Sequence, residues 1–203
     1  MALVNSYKGL IFDYGGVLVH DQAEADRARM ASVLGITLEL FDQLYWSNRL
    51  AYDKAERSRT EYWQDIAQRA GTRVDERTIE ELADLDCKSW MQFDPVMWDW
   101  IDELRAGGKR VAMLSNMPRD LGEALQLKTD RLARFDHVTL SYEARSAKPE
   151  PAIYERCLEG LQILPEEALF LDDRIQNVQG AEVLGIRSMQ FTSRDELLLR
   201  LRA

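Results

Sequence analysis

Polar and apolar positions fall into two rhythms along the chain. Short continuous apolar runs, Tyr7 to Phe12, Arg110 to Leu114, His137 to Leu140, Ala168 to Leu171 and Ile186 to Phe191, read as buried strands. Between the later runs lie helical stretches around Leu121 to Leu132, Pro151 to Leu161 and Asn177 to Leu184, and Ser193-x-x-Glu196 caps a last amphipathic helix. Strands alternating with helices predict an α/β fold, a doubly wound and mostly parallel sheet.

The first two strands are separated by too many residues for one crossover helix. That interval carries helical patterns of its own, the first around Asp21 to Leu34, terminated by Gly35. The second has Leu38, Phe41, Tyr45 and Tyr52 at helical spacing. A third starts at Ser58, which forms a capping-box pattern with Glu61, carries Trp63, Ile66 and Ala70, and stops at Gly71. A fourth runs from Asp75 through Ile79, Leu82 and Ala83. Long structureless loops are uncommon in compact domains, so these residues are expected to pack as an inserted α-helical cap domain over the strand ends. Asp94-Pro95 then begins a helix through Ile101 and Leu104, closed by Gly107-Gly108, which returns the chain to the sheet. The expected boundaries are 1–18 and 94–203 for the core and 19–93 for the cap.

Three apolar runs end in polar groups: Asp13 before Gly15 and Gly16, Ser115-Asn116, and Asp172-Asp173. In an open parallel sheet, ligands gather outside the carboxyl ends of the strands, so these tips are expected to converge on one pocket. Two carboxylates at the end of a buried strand repel unless a cation compensates them, and a metal is the economical explanation. The formal charge of −9 argues against a surface that binds nucleic acid, which needs clustered Lys and Arg. No run reaches the roughly 18 apolar residues of a membrane span, and the N-terminus lacks a signal-like apolar region. The expected setting is cytoplasmic, with Cys87 and Cys157 as reduced, buried thiols.

Together these motifs make the chain resemble the haloacid dehalogenase superfamily, in its phosphatase branch with a helical cap after the first motif. Phe12-Asp-Tyr-Gly-Gly-Val-Leu18 looks like the first motif and Leu114-Ser-Asn116 the second. Lys148-Pro-Glu-Pro-Ala-Ile-Tyr154 and Phe170-Leu-Asp-Asp-Arg-Ile-Gln-Asn177 resemble the third and fourth. The resemblance implies a Rossmann-like core and a Mg²⁺-dependent phosphatase that cleaves a small phosphorylated metabolite through an aspartyl-phosphate on Asp13. Mg²⁺ takes oxygen ligands and keeps several waters, so Asp13, Asp173 and the Gly15 carbonyl are the expected ligands. Lys148 would neutralise the phosphoryl group, Ser115 would donate its hydroxyl to it, and Asn116 its backbone N–H. Asp172 is expected to steer waters or Lys148, and Asn177 to brace the loop after Asp173.

Phosphatases of this superfamily usually carry a second Asp two residues after the nucleophile, which protonates the leaving alcohol and then activates water; here that residue is Gly15. General acid–base help contributes typically about 10²–10⁴-fold, so its loss penalises poor leaving groups. Either the substrate has a good leaving group, as in an acyl, aryl or anomeric sugar phosphate such as a sugar 1-phosphate, or another group supplies the proton. His20 and Asp21 are candidates, although a structural histidine and a helix N-cap are the simpler readings. Restoring the acid with Gly15→Asp is expected to raise activity on alkyl phosphates unless a substitute exists. Aromatics at helical spacing in the cap, Tyr45, Trp46, Tyr52, Tyr62 and Trp63, read mainly as packing, and Arg49 as a candidate for an anionic substrate group. The alternatives are a metal-independent 2-haloacid dehalogenase, against which Asp172-Asp173 weighs, and a degenerate phospho-ligand-binding or regulatory protein. The oligomeric state stays open.

Overall fold

Leu10, Phe12, Val111, Met113, Leu169 and Leu171 join one buried cluster, whereas Ile11, Ala112, Leu114, Ala168 and Phe170 join another. Alternate strand residues point to opposite faces, so this division puts an apolar layer on each side of a single sheet. The computed structural model of the chain describes residues 2–202. Its sheet contains β1 (Gly9–Phe12), β2 (Arg110–Ser115), β3 (His137–Leu140), β4 (Ala168–Asp172) and β5 (Arg187–Gln190) in the order β3-β2-β1-β4-β5. All four pairings are parallel, with Phe12 opposite both Met113 and Leu171.

Helices Pro95–Ala106 and Arg119–Lys128 cover one face with Met97, Trp98, Ile101, Leu121 and Leu125. Helices Pro151–Leu161 and Ile175–Val183 cover the other with Ile153, Tyr154, Cys157 and Ala181. The sheet is therefore doubly wound, as its sequence pattern predicts. The winding reverses after β3, where the chain crosses to β4 on the far side of β1. Such a reversal opens a crevice at the strand ends, here between the ends of β1 and β4.

Residues between β1 and the helix Pro95–Ala106 build a second core. Helices Glu24–Leu34, Leu38–Ser47, Arg49–Asp53, Arg59–Arg69 and Glu76–Ser89 pack Met30, Leu34, Phe41, Tyr45, Tyr62, Trp63, Ile66, Ile79 and Leu82 against one another. Full burial of such side chains is worth roughly 1.5–3 kcal/mol each. Ser58 and Glu61 form the capping box, and Asp75 accepts from the N–H of Thr78. Two adjacent strands of chain connect this unit to the core. Asp94 N–H donates to the Leu18 carbonyl at 3.0 Å, and His20 N–H to that of Gln92 at 2.9 Å.

Three local details differ from the sequence pattern. The stretch from Leu38 to Tyr52 is two helices that meet at Asn48. The helix begun at Arg119 ends at Lys128, because Thr129 turns extended and its hydroxyl caps the Leu125 carbonyl at 2.8 Å; a short 3-10 turn, Arg131–Arg134, follows. Asp21 is not a helix cap, since the N-cap of Glu24–Leu34 is Ala23.

Candidate active site

Strand β1 ends at Phe12, and the next residue, Asp13, keeps contact with β4 through its N–H, which donates to the Leu171 carbonyl at 2.9 Å. The parallel register therefore brings Asp13 beside Asp172 and Asp173. One carboxylate oxygen from each of these three residues lies within 4.8 Å of the others. Lys148, only 2% exposed, reaches into the cluster and pairs with Asp13 Oδ1 and Asp172 Oδ2, both at 2.7 Å. Three carboxylates face one ammonium, leaving an excess of negative charge.

Their ionisation follows from this arrangement. Burial, with the charges of Asp172 and Asp173, pushes the Asp13 carboxyl well above its usual range, against the pull of Lys148. Asp172 is also buried, yet Lys148 and the Arg174 N–H at 2.8 Å hold it below the usual value. Asn177 Nδ2 adds bonds to both Asp172 oxygens, at 2.9 and 3.0 Å. Asp172 is thus saturated with donors, and Asn177 braces that carboxylate. Burial and the neighbouring Asp172 raise Asp173 to about 6. Burial opposes charge on Lys148, but Asp13 and Asp172 raise its pKa and keep it an ammonium.

Glycine is required next to this cluster at Gly16. Its φ is +70°, and an added Cβ would lie 3.1 Å from the Asp173 carboxyl carbon. Gly15 has a different neighbour. A Cβ there would meet Trp90 Cζ3 at 3.2 Å, a tight contact with the edge of an indole. Trp90 is fixed by its Nε1–H, which donates to Tyr45 Oη at 3.1 Å, and by its carbonyl, which accepts from Tyr14 Oη at 2.7 Å.

Ser115, buried at the end of β2, lines the same cavity as Asp13, Lys148 and Asp173. Asn116 spends its side chain on the backbone of Lys148. Its Nδ2 donates to the Lys148 carbonyl at 2.9 Å, and its Oδ1 accepts the Lys148 N–H at 2.8 Å. This pair of bonds couples the β2 loop to the lysine, a role the sequence pattern does not disclose. The cavity holds about 400 Å³ and reaches up to Trp46, Arg49, Leu50, Asp53 and Trp90 of the inserted helices. Tyr45, Tyr52, Tyr62 and Trp63 are buried instead in the cap core. Asp21, a candidate acid from the sequence, lines the cavity, as does Arg174 of the fourth motif; Asp53 lines it too, and nothing in its spacing marks it.

Arg49 lines the cavity with its charge already shared inside the cap. Its Nε donates to Asp53 Oδ1 at 2.8 Å and its Nη1 to Asp86 Oδ2 at 2.9 Å and to Tyr45 Oη, so two carboxylates already answer its charge. The inserted helices are fastened over the strand ends by several bonds. Tyr52 Oη donates to Asp120 at 2.5 Å, Lys54 pairs with Glu150 at 2.9 Å, and Arg174 lies over the Trp46 ring at 5.1 Å. Among the described residues no helix is long and apolar enough to cross a membrane, and Cys87 and Cys157 are buried and free.

A family model for haloacid dehalogenase-like hydrolases matches residues 7–185. A Mycobacterium tuberculosis protein named phosphatase MT3486 is 28% identical over 192 residues, 90% of this chain and 86% of that one. Two other relatives are much longer, and the chain spans 9% and 35% of their lengths. Among solved structures, a HAD family enzyme from Bacteroides thetaiotaomicron in complex with magnesium and inorganic phosphate superposes with a TM-score of 0.72 at 23% identity, covering 94% of this chain and 98% of that one. An L-2-haloacid dehalogenase from Xanthobacter autotrophicus with chloropropionic acid covalently bound superposes at 0.71 and 23%, covering 96% and 82%. At these identities the structural matches speak for the fold.

Proposed function

Since the chain belongs to the haloacid dehalogenase-like hydrolases, we propose that it is a Mg²⁺-dependent phosphatase of a small phosphorylated metabolite, sugar phosphates included, with Asp13 as nucleophile. The observation that carries this reading is the buried Asp13–Lys148–Asp172 cluster with Asp173 beside it, at the one place where the sheet reverses. The donor set suits a hard divalent cation: Lys148 answers Asp13 and Asp172, while among the described residues Asp173 has no ion pair. Asp13, Asp173 and the Gly15 carbonyl would hold Mg²⁺, which when bound supplies positive charge to the phosphoryl oxygens.

The remaining work belongs to the side chains. Lys148 and Asp172 hold Asp13 in one orientation, so its free oxygen can attack phosphorus in line. Ser115 and Lys148 present an O–H and N–H donors to the transferred group, and Asn116 fixes the lysine backbone against the serine loop. The cap excludes water from the reacting centre and encloses a substrate of limited size.

The proposed boundaries for the two units remain 1–18 with 94–203, and 19–93. A panel of sugar, acyl and aryl phosphates assayed with Mg²⁺ and with EDTA tests the reading. Metal-dependent phosphate release that disappears in Asp13→Asn supports it. Metal-independent halide release from a 2-haloacid supports the dehalogenase alternative, and absence of turnover supports a binding role.

A further inference from the structure

The first motif lacks a proton donor at residue 15, whose nearest neighbour on the side-chain side is the Trp90 ring. A phosphatase working on an alkyl leaving group must then take its proton from elsewhere on the cavity wall. His20 does not line the cavity. Asp21 does, from an exposed position. Asp53, at the end of the helix Arg49–Asp53, lines it while being 6% exposed.

Asp53 is tied to the phosphoryl end of the site by its main chain. Ser141 Oγ donates to the Asp53 carbonyl at 2.7 Å and accepts the Met117 N–H at 2.9 Å, directly after Ser115-Asn116. On the cap side, Arg49 Nε fixes Oδ1 at 2.8 Å. Among the described residues Oδ2 receives no hydrogen bond, so it is the oxygen left for a proton. Arg49 divides its charge with Asp86, which Tyr45 and Gln22 also hold. Burial therefore outweighs Arg49 and raises Asp53 to about 6, with Asp86 raising it and Arg174 of the core lowering it. A pKa near the working pH suits proton transfer in both directions.

We propose that Asp53, carried in by the cap, is the proton donor to the leaving oxygen and then the base for water, in place of the acid missing at residue 15. The proposal rests on the phosphatase reading. In the first step an Asp13 oxygen bonds to phosphorus as the bond to the leaving oxygen breaks. Its electron pair goes to that oxygen, which takes the Asp53 proton and departs as the alcohol. In the second step water attacks phosphorus and gives a proton to Asp53, while the bond to Asp13 breaks and its electron pair returns to the carboxylate. One water is consumed and Asp53 ends protonated.

The test compares kcat/KM for 4-nitrophenyl phosphate, whose leaving group needs no proton, with that for an alkyl phosphate such as glycerol phosphate. Asp53→Asn should lower the alkyl value by about 10²–10⁴-fold and leave the aryl value nearly unchanged. Asp53→Glu should recover part of the alkyl rate. Asp86→Asn removes a charge that raises Asp53 and leaves Arg49 to it, so the alkyl value should fall at lower pH while the aryl value keeps its profile. In the wild type the alkyl-to-aryl ratio should fall as pH rises through about 6, and in Asp53→Asn it should be flat. An equal fall on both substrates, or no fall, overturns the role of Asp53. Should aryl hydrolysis be absent, or survive Asp13→Asn, the phosphatase reading itself fails and this proposal with it.

Discussion

Gly15→Asp places the usual acid of the family in the first motif, and the sequence alone argues that it should help. In the structure the added side chain also meets a packed neighbour. Its Cβ would be 3.2 Å from Trp90 Cζ3 and 3.8 Å from Cε3 and Cη2, before any carboxylate is added. Trp90 must give by a few tenths of an ångström, and the bonds of Tyr45 and Tyr14 to its two polar groups resist that shift. Overpacking of this kind costs about 1–3 kcal/mol. For a chain of this size that lowers Tm by roughly 2–12 °C. Trp90→Ala alone should cost about 3–5 kcal/mol through its cavity. The double variant should then be more stable than the sum of the two, because the alanine removes the clash. A double-mutant cycle in urea reads this coupling, expected at about 1–3 kcal/mol against the 0.3–0.5 within which independent sites add. Additivity within that margin, or a Gly15→Asp protein with wild-type Tm and a large gain on alkyl phosphates, would refute the account of Trp90.

Other outcomes follow from the buried charges. Lys148→Ala leaves Asp13 and Asp172 without their shared cation and should cost about 3–5 kcal/mol by urea denaturation; an unchanged midpoint would contradict the ion-pair reading. Asp53 is raised to about 6 from about 3.8 by burial, so between those values the folded state binds a proton that the unfolded chain has lost. Its contribution therefore falls as pH rises from about 4 to 6, by on the order of 1–3 kcal/mol. In metal-free buffer, Asp53→Asn should gain stability relative to wild type across that window, and an identical pH dependence of Tm would exclude the effect. Mg²⁺ should raise Tm, by the equivalent of about 2.7 kcal/mol at a hundredfold excess over Kd, and Asp173→Asn should abolish the shift.

The fold was legible because its signals are local. Val111 to Leu114 and Ala168 to Leu171 are uninterrupted apolar runs, and Ser58 with Glu61 marks a helix start. Candidate residues at strand ends were legible for the same reason: a parallel sheet gathers those ends whatever joins them. The contents of the cap side were not. Tyr52 and Trp63 share a helical rhythm with Trp46, yet only Trp46 of these three faces the cavity. Periodicity identifies a buried stripe without saying which unit buries it. The Gly15–Trp90 contact, across 75 residues of chain, and the Asn116 clasp on Lys148 depend on tertiary approach that no spacing encodes.

Phosphoryl transfer through Asp13 leaves a covalent mark that is read by acid-quenching the protein during turnover of an aryl phosphate with Mg²⁺ and mapping its peptides by mass. One phosphoryl group is expected on the peptide containing Asp13, absent with EDTA and in Asp13→Asn. Phosphate release with no adduct on that peptide during accumulation of the intermediate, or release undiminished in Asp13→Asn, would contradict it.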